Sequence, residues 1–379
     1  MPRVMIVGKS LGRLLSLQKQ RTSVYYPANI PQRNWVPSVG NQLELKECVM
    51  GLRILATTVI FLISMPARAQ QKWYKFDKNF IQTHYATDEG AIGILKVSAM
   101  HPAKNAHKTD CGGNDGELHI GVAAADLGRR PASSFAQSGD SGFGIVAEPP
   151  NVKNGSSFHK QIEGADGSAA TFYGYFRVWN EGHDVGPIFP SNPHHVLEVH
   201  PAWGIRSSGF NYAPRPAVIF PMSGYSGYGA SKFRPMLGAL SSWLRVAEDA
   251  RFVYVQMAKE DNFYQLPVTV KRTRTFANDA GVAALVDVFS DTAHQNLVYK
   301  DLTVITAANS RIATQLHPDW QTYLLGFFSI NLRKAMEIAA GHSGSANAVP
   351  APGALEFFAF GVPLQPAVSA SKPCTEEDD

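Results

Sequence analysis

The chain is short of cysteine, of charge and of long apolar runs, and each shortage narrows what it can be. Three cysteines in 379 residues cannot build a disulfide framework of the kind that holds small secreted domains together. No apolar stretch reaches the ~20 residues that a membrane-spanning helix needs. Charged residues make up only 17%, and long amphipathic helical patterns are scarce, which points away from a mainly helical architecture. The sequence carries no phosphate loop, no dinucleotide fingerprint and no His-Glu-x-x-His motif, and no repeat of fixed period.

What is present begins with an export signal. Arg53 is a short positive region, and Ile54 to Met65 is an apolar run of twelve residues. Ala67-Arg68-Ala69 then satisfies the small-x-small cleavage rule, so the mature chain is expected to begin at Gln70. Residues 50–69 thus read as a signal peptide, exporting the protein to the periplasm or the extracellular space with no transmembrane anchor after cleavage. Residues 1–49 precede it and have no clear apolar period. They read as an over-extended N-terminus, with translation expected to start at Met50.

Processing changes the charge. The full chain has a formal net charge of +4. Loss of nine basic and two acidic residues from positions 1–69 leaves 26 basic and 29 acidic, a net of −3. That balance speaks against a nucleic-acid partner. Cys48 leaves with the same segment, so Cys111 and Cys374 are the two thiols that an oxidising compartment would allow to bond. Against such a disulfide, Cys374 lies in an acidic tail, 365–379, that reads as disordered.

About 310 mature residues suggest two domains. Strand signals recur at 91–100, 117–123, 144–148, 169–179 and 196–205, a spacing that predicts a small OB-like β-barrel over residues 70–206. Residues 207–232 are rich in Ser, Gly, Pro and Tyr and read as a linker. Residues 233–364 read as a second β-rich domain with one or two helices; the clearest spans 331–340, with Asn331 as N-cap and Gly341 as stop. The expected class is mainly β.

Two strands carry the candidate chemistry. Alternate strand residues share a face, so Asp115, Glu117 and His119 lie together, as do Glu198 and His200. Each strand thereby presents Glu-x-His opposite an apolar row. If the two strands pair, the imidazoles and carboxylates converge, with His119 and His200 as ligands of a divalent metal such as zinc. A carboxylate orienting a histidine as general base is the other chemical option. The bland alternative is a solvated strand face with ordinary cross-strand pairs. His194 and His195, beside Pro193, carry less signal and read as marking a turn. A further row, Tyr173, Tyr175, Arg177 and Trp179, would stack on rings of a ligand if exposed; otherwise it is a face covered by the second domain.

Gly139-Asp140-Ser141-Gly142 and Thr292-Ala293-His294 resemble the serine and histidine motifs of trypsin-like proteases. Phe143 replaces a glycine and the chain order is reversed, so that reading fails. A better match is to exported bacterial proteins of unassigned function. In these, a strand of the form Asp-x-[Asp/Glu]-x-His precedes one reading Glu-[Ile/Val]-His-Pro. Asp115, Glu117 and His119, then Glu198, Val199, His200 and Pro201, resemble that pattern over residues 91–206, and Cys111 is similarly placed. The resemblance implies an OB-like barrel and a shared site, without a reaction.

No complete catalytic signature is legible, and no catalytic residue can be assigned. The expected function is therefore an exported two-domain binding or interaction protein, acting on a small molecule or an envelope partner. The alternatives are a metal-dependent hydrolase of phosphodiesters or similar esters, and a structural envelope protein.

Overall fold

A computed structural model of the chain describes residues 71–85, 92–106, 117–124, 144–150, 152–183, 186–212, 229–260, 263–276, 281–308, 310, 312–342 and 348–361. The signal peptide, the segment before it, Cys111, Asp115, Cys374 and the acidic tail lie outside the described residues. Residues 66–379 form one compact unit. Among the described residues no helix is long and apolar enough to cross a membrane.

The protein is mainly β, as the strand spacing led us to expect. The first barrel uses β2 (Ile92–Pro102), β3 (Ile120–Ala124), β4 (Ile145–Ala147), β5 (Ala170–Val178) and β6 (Leu197–Ser207). Neighbours run β4-β3-β2-β5-β6, and β4 closes the ring by pairing in parallel with β6. Closure removes the exposed edges that a five-stranded sheet would otherwise present. Helix α2 (Ser157–Glu163) bridges the third and fourth barrel strands, and the Ser156 side chain caps it by accepting from His159 N–H, which satisfies a helix-end amide.

The second barrel repeats this order. It uses β10 (Phe263–Thr275), β11 (Gly281–Phe289), β12 (Leu297–Ala307), β13 (Gln321–Ile330) and β15 (Leu355–Gly361). The ring runs β10-β11-β12-β15-β13, with β12 and β15 parallel. In both barrels, therefore, the third strand pairs in parallel with the fifth, the arrangement of an OB-type Greek-key barrel. Helix α5 (Leu332–Ala340) follows the fourth strand here, capped by Asn331, where the sequence placed it. A separate four-stranded sheet sets β1 (Lys72–Asp77) against β9 (Phe252–Met257), then β8 (Arg245–Glu248) and β14 (Val349–Pro350). The strand at the start of the described chain thus belongs to neither barrel.

The duplication reaches single residues. In the first barrel Phe176, Arg177 and Val178 stand opposite Val199, Glu198 and Leu197. In the second, Phe328, Ser329 and Ile330 stand opposite Phe357, Glu356 and Leu355. Gly174 and Gly326 precede these triplets, at register shifts in their strands. A β-carbon at either would strike a backbone carbonyl of the fifth strand, that of Pro201 or of Phe358, so both positions require glycine for close approach.

The two barrels interlock along β5 and β13. Val178 N–H donates to Ser329 Oγ at 3.0 Å, and Tyr175 OH donates to Glu356 Oε1 at 2.6 Å. The ring contacts are reciprocal: His200 lies 4.8 Å from Phe327, and Phe358, its counterpart, lies 4.5 Å from Tyr175. Tyr175 is fully buried, so its hydroxyl must keep a partner. Tyr175→Phe leaves one oxygen of Glu356 without its donor. We expect the variant to fold but lose about 1–3 kcal/mol in equilibrium denaturation.

Candidate functional site

The site is assembled by four strands of the first barrel and one loop. Strand β3 is preceded by Glu117 and His119, and β4 is followed by Glu148. Strand β5 carries Arg177, and β6 carries Glu198 and His200. The loop from β5 to β6 adds Glu181, His183 and His195.

Strand β3, which follows Glu117 and His119, and β6, which carries His200, are not neighbours, because β4 lies between them. The side chains of Glu117 and His200 meet all the same: His200 Nε2 is 2.9 Å from Glu117 Oε1. The intervening strand contributes Glu148, whose Oε2 is 2.7 Å from His200 Nδ1 and whose Oε1 is 3.4 Å from His119 Nε2. Glu198 Oε2 lies 3.0 Å from Arg177 Nη1 and 3.4 Å from His200 Nδ1. Its other oxygen is 3.2 Å from His195 Nε2. Arg177 also pairs with Glu181, and His183 stacks on His195 with ring centres 4.8 Å apart.

The polar face is not solvated. Exposure is 4% for Glu117, 7% for His119, 4% for Glu148, 2% for Glu198 and 1% for His200. The second barrel covers it: His200 packs on Phe327 and Phe263, and the Arg177 guanidinium lies 4.5 Å from the Phe327 ring centre. The aromatic row is consumed by the same junction. Tyr175, Arg177 and Trp179 are buried, with only Tyr173 half-buried, so the row offers no platform for a ligand's rings.

Burial and charge compete at every titratable group. Burial, and the neighbouring Glu198 charge, push Glu148 up; His200 and His119 outweigh them and hold it at about 2. Burial likewise raises Glu198, but Arg177, His195 and His200 bring it well below the ordinary carboxylate range. Burial opposes protonation of His200, yet Glu117 and Glu148 raise it well above 6.5. Both ring nitrogens of His200 face carboxylate oxygens, so the geometry calls for an imidazolium donating from each. Four glutamates thus gather with one guanidinium, the His200 imidazolium and the rings of His119, His183 and His195.

Sequence reasoning found Glu117, His119, Glu198 and His200, and the structure brings all four together. It missed Glu148, and it read His195 as part of a turn. The signal for Glu148 was available: a charged residue ending a short apolar strand, stopped by Pro149-Pro150. His195 has no such local signal, since only the fold carries the loop inward. The chain matches no protein-family model and no curated protein.

Two measurements follow. Arg177→Met leaves the buried Glu198 and the half-buried Glu181 without their guanidinium and should cost about 3–5 kcal/mol in denaturant unfolding of metal-free protein. The depressed value of Glu148 stabilises the fold above its ordinary value of 4.5, and that contribution is lost as pH falls towards about 2. The raised value of His200 acts oppositely: its contribution is complete below 6.5 and fades as pH climbs through the folded value. Thermal midpoints of metal-free protein should therefore fall on both sides of this window, and Glu148→Gln should flatten the acid limb.

Proposed function

We propose that the chain is an exported binding or interaction protein, in which the junction cluster locks two barrels together and does not turn over a substrate. The observation that carries this reading is the burial of the donor set. A catalytic metal centre keeps one coordination position open, and a general base must reach a substrate or water at about 3 Å. Here the nitrogens of His200 already face Glu117 and Glu148, at 2.9 and 2.7 Å. Phe327 and Phe263 of the second barrel pack over that ring.

Ligand contact then falls to the rim. The loop joining β5 to β6 exposes Ile188 at 58% and Phe189 at 46%, while His195 of the same loop is buried. A small molecule or an envelope partner is the occupant this reading calls for. The positive residue, apolar run and cleavage site at 53–69 support export.

The test is an assay for the competing chemistry. Protein expressed from Met50 and exported should hydrolyse bis(p-nitrophenyl) phosphate, with zinc or manganese added, no faster than a matched Glu148→Gln variant. Multiple turnovers by the wild type, abolished in that variant while it remains folded, would replace the binding reading with a metal-dependent phosphodiesterase.

A further inference from the structure

The cluster contains one histidine whose hydrogen bonding is unlike the others. His195 is 1% exposed, and its Nδ1 lies 2.7 Å from the Pro193 carbonyl oxygen. A carbonyl oxygen only accepts, so Nδ1 carries the proton and the tautomer is set. Nε2 then carries a lone pair in the neutral ring, or a second proton in the imidazolium. That atom is buried and makes no hydrogen bond of acceptable geometry, although Glu198 Oε1 is 3.2 Å away. In the neutral ring two lone pairs face each other, and a positive centre between them, a proton or a metal ion, removes the conflict.

We propose that Glu148, His195 and Glu198 bind one divalent first-row cation, with zinc the leading member of the class. One ligand atom from each of the three lies within 4.8 Å of the others, compatible with ligand-to-ligand separations of about 3.3 Å around a tetrahedral ion after small side-chain shifts. Glu198 offers Oε1 because Arg177 holds Oε2. The Pro193 carbonyl supplies the outer hydrogen bond that metal-bound imidazoles usually make through their second nitrogen. One imidazole and two carboxylates form a nitrogen/oxygen set. Such a set suits zinc, manganese, iron or cobalt better than soft copper(I), which prefers sulfur, or calcium and magnesium, which prefer oxygen alone.

The seat differs from one built on His119 and His200. The trio of Glu117, Glu148 and His200 also lies within 4.8 Å, but its imidazole already bonds a carboxylate through each nitrogen. Doubly donating, it satisfies that half of the cluster without an ion. One equivalent is therefore expected, not two. All three ligands are buried, which assigns the ion a structural role beside the contact between the barrels.

The experiment is elemental analysis of untagged, exported protein purified without chelator, beside His195→Gln and His119→Asn variants. Metal-stripped samples of each are then titrated with zinc chloride by calorimetry. The proposal expects about one equivalent in the wild type and at least a tenfold weaker zinc Kd in His195→Gln, with a smaller loss in His119→Asn, whose ring touches the ligand Glu148 without being a ligand itself. No bound metal and no zinc heat in folded wild-type protein would overturn it, as would retention of wild-type affinity by folded His195→Gln. If that variant does not fold, X-ray absorption at the zinc edge of the wild type decides. Imidazole and oxygen donors at about 2.0–2.2 Å support the seat; an all-oxygen or sulfur-containing shell excludes it. The outcome is separable from the binding reading, which falls on phosphodiester turnover whether or not metal is bound.

Discussion

The ion pair between Arg177 and Glu198 is the contact on which the junction depends. Arg177 is fully buried, and an isolated guanidinium in that position would cost several kcal/mol in lost hydration. It is tolerated because each part of it is engaged. Nη1 meets Glu198, Nε donates to the Phe328 carbonyl of the second barrel at 3.4 Å, and the planar face lies over Phe327. One side chain thereby joins β5 to β6 within its own barrel and both to β13 of the other. Lysine could not substitute, since a single ammonium lacks the planar fork and the stacking face.

The duplicated architecture supplies an internal control for the chemistry. Glu198 and Glu356 occupy the same place in the two barrels, opposite Arg177 and Ser329 respectively. Both are buried, and burial alone drives a carboxyl up. Glu356 follows that rule, because its partners, Tyr175 OH and Asn331 Nδ2, are neutral and only partly offset the effect. Glu198 goes the other way, because a guanidinium and imidazoles surround it. The same backbone position thus holds a carboxyl whose proton is favoured in one barrel and a firm carboxylate in the other. The neighbours, and not the fold, decide the charge.

Much of this was legible from periodicity. The five strands of the first barrel stand out because most alternate or are bounded by Gly and Pro, and α5 stands out because Asn331 and Gly341 bracket it. Strand β13 is silent in the sequence: Tyr323 to Ile330 is apolar nearly throughout, being buried on both faces between its own barrel core and the other barrel. The Glu-x-His strands were readable as a pair of polar faces. That these faces would be covered was not, because the covering residues, Phe263 and Phe327, lie far along the chain and nothing local announces them. The likeness of the two barrels is equally hidden. It rests on matching strand order and on short stretches such as Leu197-Glu198 and Leu355-Glu356, with unequal loops between them that erase any fixed period.

A buried charged network is weak evidence for stability, since well-packed apolar side chains of similar volume often serve as well or better. The second barrel makes the point within this chain. Where the first has Glu148 and His200, the second has Ile305 and Phe358 paired across the equivalent strands, and the barrel closes just as well. Packing therefore does not demand a carboxylate and an imidazole there. A cluster of four carboxylates, with one buried ring nitrogen that makes no hydrogen bond and is aimed at one of them, is a place where the proposed cation would fit. The proposed divalent cation would bridge His195 and Glu198 and would link a loop, β4 and β6 at the contact with the second barrel. The charged version of the junction then has a use that the apolar version of the same architecture lacks.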